Sequence, residues 1–143
     1  MFTTLYWLTC PKLVRRISMF ESAGWIGRLK SMAGKVDAAR QRLTDLHATY
    51  ARRRRAAVGR IRLACLRLTR PHLARSLEKT GIGGVADPSN IKCLHAHAAY
   101  HLVEGNHPFF TTFPDLIEPL SDCRLCDGPA KQIKTFSAGR YAV

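Results

Sequence analysis

VDAARQRLTDLHATYARRRRAAVGRIRLACLRL, residues 36–68, sets the fold class. Val36, Ala39, Leu43, Leu46, Tyr50, Ala57, Ile61, Ala64 and Leu68 recur at steps of three, four or seven, which places them on one stripe of an α-helix. Arg53 and Arg54 stand where an apolar step is missing, and Gly59 weakens the helix. The segment therefore reads either as one long basic helix or as a helical hairpin turning near Arg52–Gly59. Pro71 closes or kinks it. Cys65 is expected to be a small buried side chain within it. Leu43, Leu46 and Tyr50 can pack within the chain or against a second copy, which leaves self-association through the long helix open.

On the N-terminal side, Thr3 to Thr9 (TTLYWLT) is β-branched and aromatic and suits one short strand. Pro11 ends the strand and opens a helix carrying Leu13, Val14, Ile17 and Phe20 at helical spacing. That helix weakens at Gly24 or Gly27, resumes its apolar face with Trp25, Ile26 and Leu29, and stops near Gly34. On the C-terminal side, Gly81-Ile-Gly-Gly84 reads as a hinge. Its glycines precede a helix, but they match no phosphate-binding fingerprint. Asp87 or Ser89 is expected to cap a helix running from Ile91 to Glu104 and ending at Gly105. Pro108, Pro114, Pro119 and Pro129 keep the rest irregular. The expected organisation is one helical domain over residues 1–110 and an irregular tail over 111–143.

Charge narrows the function classes. The 23 Lys and Arg outnumber the 10 Asp and Glu, for a net +13. By segment the sums are +5 for residues 1–35, +9 for 36–79 and −1 for 80–143. No acid lies between Asp45 and Glu78, while Arg52, Arg53, Arg54, Arg55, Arg60 and Arg62 crowd the same stretch. Such a field attracts nucleic acid, polyphosphate or acidic lipid. Tyr50 is the lone aromatic there, which disfavours base stacking. No run approaches the roughly 18 to 20 apolar residues of a membrane span. Residues 1–10 also lack the basic start of a secretion signal. A soluble cytoplasmic protein is expected.

In a reducing compartment, spaced Cys and His point to metal or redox chemistry. On an ideal helix from Ile91, Cys93, His97, His101 and Glu104 fall at roughly 200° to 280°, so Cys93 and His97 can face one ion. His95 points elsewhere. Cys123-Arg-Leu-Cys126-Asp-Gly128 is a CxxC knuckle able to grip a tetrahedral ion. With Cys93 and one His it makes a zinc set; with Cys93 and Cys10 it makes the four thiolates of an iron–sulfur cluster. Cys93 and His97 can also be read as nucleophile and base.

TLYWLTCP (residues 4–11), Leu13, Ile17-Ser18, Glu21-Ser-Ala-Gly24, Gly83-Gly84, CLHAH (93–97) and Gly105-Asn106-His107-Pro108 resemble the bacterial domain-of-unknown-function family 501 over roughly residues 3–110. The resemblance implies a cytoplasmic protein of unassigned activity, encoded near enolase, a septum-formation protein and an exopolyphosphatase. It singles out Cys10, Cys93, His95 and His97. Family members usually begin with a further Cys- and Gly-containing segment; against that pattern, either the segment is lost here or the start codon was chosen too late, and a ligand can go with it. Members also carry a His near position 100, where this chain has Tyr100 and then His101, and their middle helix is less basic.

These readings converge on a mainly α-helical metal-binding protein. Its expected ligands are Cys10, Cys93, His95, His97, Cys123 and Cys126, holding zinc or an iron–sulfur cluster. The alternatives are a polyanion-binding module built on Arg52, Arg53, Arg54, Arg55, Arg60 and Arg62, and a Cys/His or metal-dependent hydrolase.

Overall fold

The computed structural model describes residues 4–117 and 133–135. Its fold is mainly α, as the periodicity predicts. A short strand β1 (Tyr6–Leu8) leads into helix α1 (Pro11–Ser22), with Pro11 in the first turn and Leu13 and Ile17 buried. Gly24 breaks the chain at φ +79°, a conformation that costs glycine little, and α2 (Trp25–Lys35) follows. The tail supplies a second strand, β2 (Ile133–Thr135), which pairs antiparallel with β1 in the register Tyr6↔Thr135, Trp7↔Lys134 and Leu8↔Ile133. An N-terminal strand alone was expected; pairing with the tail satisfies its backbone.

The basic segment is two helices broken at Gly59, the second of the two expected alternatives, and a third helix follows from Pro71. α3 (Asp37–Val58) buries Leu43, Leu46 and Tyr50 of the expected stripe, while Val36 at its entrance is exposed. Gly59, at φ +84° and ψ 151°, separates α3 from α4 (Arg60–Thr69). That break turns the stripe out of phase. Leu63 is the buried residue of α4, while Ile61 and Leu68 are 89% and 87% exposed. Cys65 is exposed as well, because it lies on the side of α4 that the shifted phase turns outward. After Arg70, α5 (Pro71–Lys79) packs back on α4 and α3, burying Ala74 and Leu77 with Val58 and Leu63.

The Gly81–Gly84 segment is tightly held. A Cβ on Gly81 would lie 2.2 Å from His47 Nδ1, so only glycine fits against that ring. The same Nδ1 accepts a hydrogen bond from the Ile82 amide at 2.9 Å. Asp87 closes a local turn on Ser89 and caps no helix. Helix α6 (Leu94–Glu104) begins later than expected, with Cys93 as its extended N-cap residue, and ends at Gly105 (φ +71°) as expected. α7 (Pro108–Thr112) follows. Leu13, Ile17, Leu29, Leu43, Leu94, Ala98, Phe110, Leu116 and Ile117 belong to one core cluster that joins α1, α2, α3 and α6 to the segment after α7.

Candidate metal centre

Where α6 starts decides which side chains meet. Cys93 has φ −148° and ψ 119°, so it lies ahead of the helix and its thiol does not follow the helical wheel. Instead it sits beside His95, with Sγ 3.8 Å from His95 Nδ1. Glu21, in the last turn of α1, reaches the same spot. Its Oε1 accepts from the Leu94 amide at 2.5 Å and lies 3.3 Å from His95 Nδ1. Ligand atoms of Glu21, Cys93 and His95 all fall within 4.8 Å of one another, and all three residues are half-buried.

Hydrogen bonding fixes the ring chemistry of His95. Its Nε2 is 3.1 Å from the Val14 carbonyl, an atom that can only accept, so Nε2 carries the proton. Ser18 Oγ, itself donating to Val14 O at 2.8 Å, lies 3.2 Å from the same nitrogen. Nδ1 is left with its lone pair directed at the Glu21 carboxylate and the Cys93 sulfur. The Cys93 S–H can donate to that lone pair, and a cation that displaces the thiol proton would be met by imidazole, thiolate and carboxylate together. Burial pushes the Cys93 thiol up, and the Glu21 carboxylate adds to that.

Residues 1–112 match the family described as proteins of unknown function, DUF501. The chain belongs to that family. No curated protein and no solved structure matches it.

The other histidines of this DUF501 chain are placed differently. His97 is fully buried and turns to the opposite side of α6, where its Nδ1 lies 2.7 Å from His107 Nε2. The Phe109 amide donates to His107 Nδ1, so His107 Nε2 is the protonated nitrogen and donates to His97. His97 Nε2 then holds a proton with no partner among the described residues. The His47 ring stands 5.4 Å from that of His97, edge to face. Burial holds His47 and His97 below the ordinary imidazole range and pushes His107 down to about 3. His101 Nδ1 accepts the His107 amide at 3.2 Å. Glu104 takes the Tyr6 hydroxyl at 2.8 Å and an ion pair from Arg53. Burial and that carboxylate push the Tyr6 phenol up to about 12.

Thus Cys93 meets His95 rather than His97, because the wheel assumed a helix already formed at Ile91, three residues before α6 begins. Cys10 is buried as the N-cap residue of α1, packed in the core cluster, and its sulfur is not part of the three-donor group. Cys123 and Cys126 lie outside the described residues. Glu21 went unrecognised as a ligand, although it is the single acid in residues 1–35.

The arginine run also divides. Arg54 is buried, donating from Nε to Leu77 O at 2.8 Å and from Nη2 to the Ser76 and Thr80 carbonyls, which caps the C-terminus of α5. Arg53 is held by Glu104, and Arg55 donates to Glu78 O at 3.2 Å. Arg52, which donates to Thr49 Oγ1 at 3.2 Å, and Arg60 and Arg62 are exposed.

Proposed function

We propose that this protein binds one zinc ion through Glu21, Cys93 and His95. The observation that carries the reading is the trio of donor atoms within 4.8 Å. Zinc bonds of about 2.0 to 2.3 Å in a tetrahedron put ligand atoms about 3.3 to 3.8 Å apart. The spacings from His95 Nδ1 to Glu21 Oε1 and to Cys93 Sγ are 3.3 and 3.8 Å. A thiolate, an imidazole and a carboxylate form a borderline-soft set suited to zinc. One thiol among three donors fits an iron–sulfur cluster poorly. The Val14 carbonyl behind His95 is the partner that ligating histidines ordinarily have, since it fixes the tautomer. The ion ties the end of α1 to the start of α6.

Three protein ligands leave a fourth position. Water there would make the ion a Lewis acid able to activate it for hydrolysis, whereas a thiolate from Cys123 or Cys126 would close the site. Protein purified without chelator is expected to carry zinc at one equivalent per chain, and cobalt substitution then counts thiolates by the intensity of sulfur-to-cobalt charge transfer. Cys93→Ser, His95→Gln and Glu21→Gln should each weaken binding. Unchanged binding in the triple variant, or no zinc and no cobalt taken up by the wild type, refutes the site.

A further inference from the structure

Helix α4 is built inside out relative to the rest of the chain. Counting 100° per residue from Arg60, Ala64, Leu68, Ile61 and Cys65 fall at about 40°, 80°, 100° and 140°, one contiguous arc. All four are exposed, Ile61 and Leu68 at 89% and 87%. The inward side is Leu63, buried, and Leu66, half-buried, at about 300° and 240°. Arg60 and Arg67 border the outward apolar crest on one side, at about 0° and 340°, and Thr69 and Arg62 on the other, at about 180° and 200°. Arg67 is braced by Glu78 of α5, which holds it beside the crest. Arg70 and Arg75 add exposed positive charge next to it, and no acid occurs between Asp45 and Glu78.

An apolar ridge between rows of arginine asks for a surface that is apolar inside and anionic at its rim. A duplex nucleic acid would satisfy the arginines and leave Ile61 and Leu68 in water. A second copy would bring another +13 chain against this one, arginine facing arginine. We propose that α4 docks on the surface of a bilayer containing anionic phospholipid. Ile61 and Leu68 enter the headgroup–acyl boundary, and Arg60 and Arg62 pair with lipid phosphates. None of the described helices is long and apolar enough to cross a membrane, so the contact is peripheral. The inference stands apart from the metal site.

The test is co-sedimentation of the full chain with phosphatidylcholine vesicles, with and without phosphatidylglycerol. Binding is expected with phosphatidylglycerol only, and it should weaken as salt rises. Ile61→Ser with Leu68→Ser should lower vesicle affinity by about tenfold or more while leaving the thermal unfolding midpoint in place, since both side chains are exposed. Arg60→Gln with Arg62→Gln should lower affinity and flatten the salt dependence. Wild-type protein that ignores phosphatidylglycerol vesicles overturns the proposal. Unchanged binding by the serine variant does so too, because the contact would then be charge alone, as with duplex DNA. A dimer in solution that the serine variant abolishes assigns the crest to a second copy instead.

Discussion

His95 and His97 leave one turn of α6 about 200° apart and end in opposite surroundings. His95 lies half-exposed at the junction with α1, its Nδ1 lone pair facing a carboxylate and a sulfur. His97 lies in the interior, where His107 donates to it and His47 packs against its ring. The first environment gathers three donor atoms that a cation could share. The second rejects one, because burial opposes every protonation and the rings repel each other when charged. Neighbouring residues of one type can therefore have opposite physical roles, one suited to a ligand and the other to the core.

Truncation should separate the two regions most strongly. His107→Ala removes a buried ring and leaves His97 Nδ1 and the Phe109 amide without their partner, so a loss of about 4 kcal/mol is expected in urea unfolding. His95→Ala in metal-free protein should cost less than about 1 kcal/mol, since its contacts are partly solvated. Equal costs would erase the distinction.

Zinc should sharpen it from the other side. At a free zinc concentration about a hundredfold above Kd, wild-type unfolding free energy should rise by about 2.7 kcal/mol. His95→Gln is expected to lose that gain and His97→Gln to keep it, measured as the difference between zinc-loaded and chelated protein. If His97→Gln loses the gain while His95→Gln retains it, the ion belongs to the interior histidines.

Much of this architecture is legible in the residues themselves. Leu43, Leu46 and Tyr50 announce the inner face of α3, and Gly24 and Gly105 mark true helix ends. Gly59 was legible as a weak point, but not as a change of phase. A stripe drawn through it assigns Ile61 and Leu68 to the core, whereas a backbone at ψ 151° restarts the helix with Leu63 inside. Asp87 and Ser89 have capping chemistry that predicts an earlier start for α6, but a local turn consumes it first. The later start takes Cys93 off the helical wheel and sets it beside His95. Glu21 meets them only through the packing of α1 on α6, a long-range contact that no local pattern encodes. Arg54 reads as surface charge in the sequence; its burial depends on α5 folding back to present carbonyls.

Acid should affect the interior histidines next. Their folded pKa values lie below 6.5, His107 at about 3, so protons favour the unfolded chain. Their contribution is complete above pH 6.5 and falls away as the pH drops toward 3. His107 should cost about 1.4 kcal/mol per pH unit below 6.5, read from urea midpoints at several pH values, and His47 and His97 should add to the loss in the same direction. A flat profile between pH 6.5 and 5 would mean that these rings are charged or solvated in the fold.

The smallest expected effect tests how His95 is aimed. Ser18→Ala removes one of two oxygens around Nε2 and leaves the Val14 carbonyl, the stronger constraint because it can only accept. Loss of an outer partner of a ligating histidine commonly costs about 10- to 100-fold in metal affinity. With one acceptor retained, a loss below about tenfold is expected, with stability unchanged within about 0.5 kcal/mol at this exposed position. Nitrogen-15 shifts of His95 should still report the proton on Nε2. If the ring switches to the Nδ1–H tautomer, the serine rather than the carbonyl holds the lone pair toward Glu21 and Cys93. Zinc affinity should then fall as far as it does in His95→Gln, since the ligating nitrogen would be lost in both.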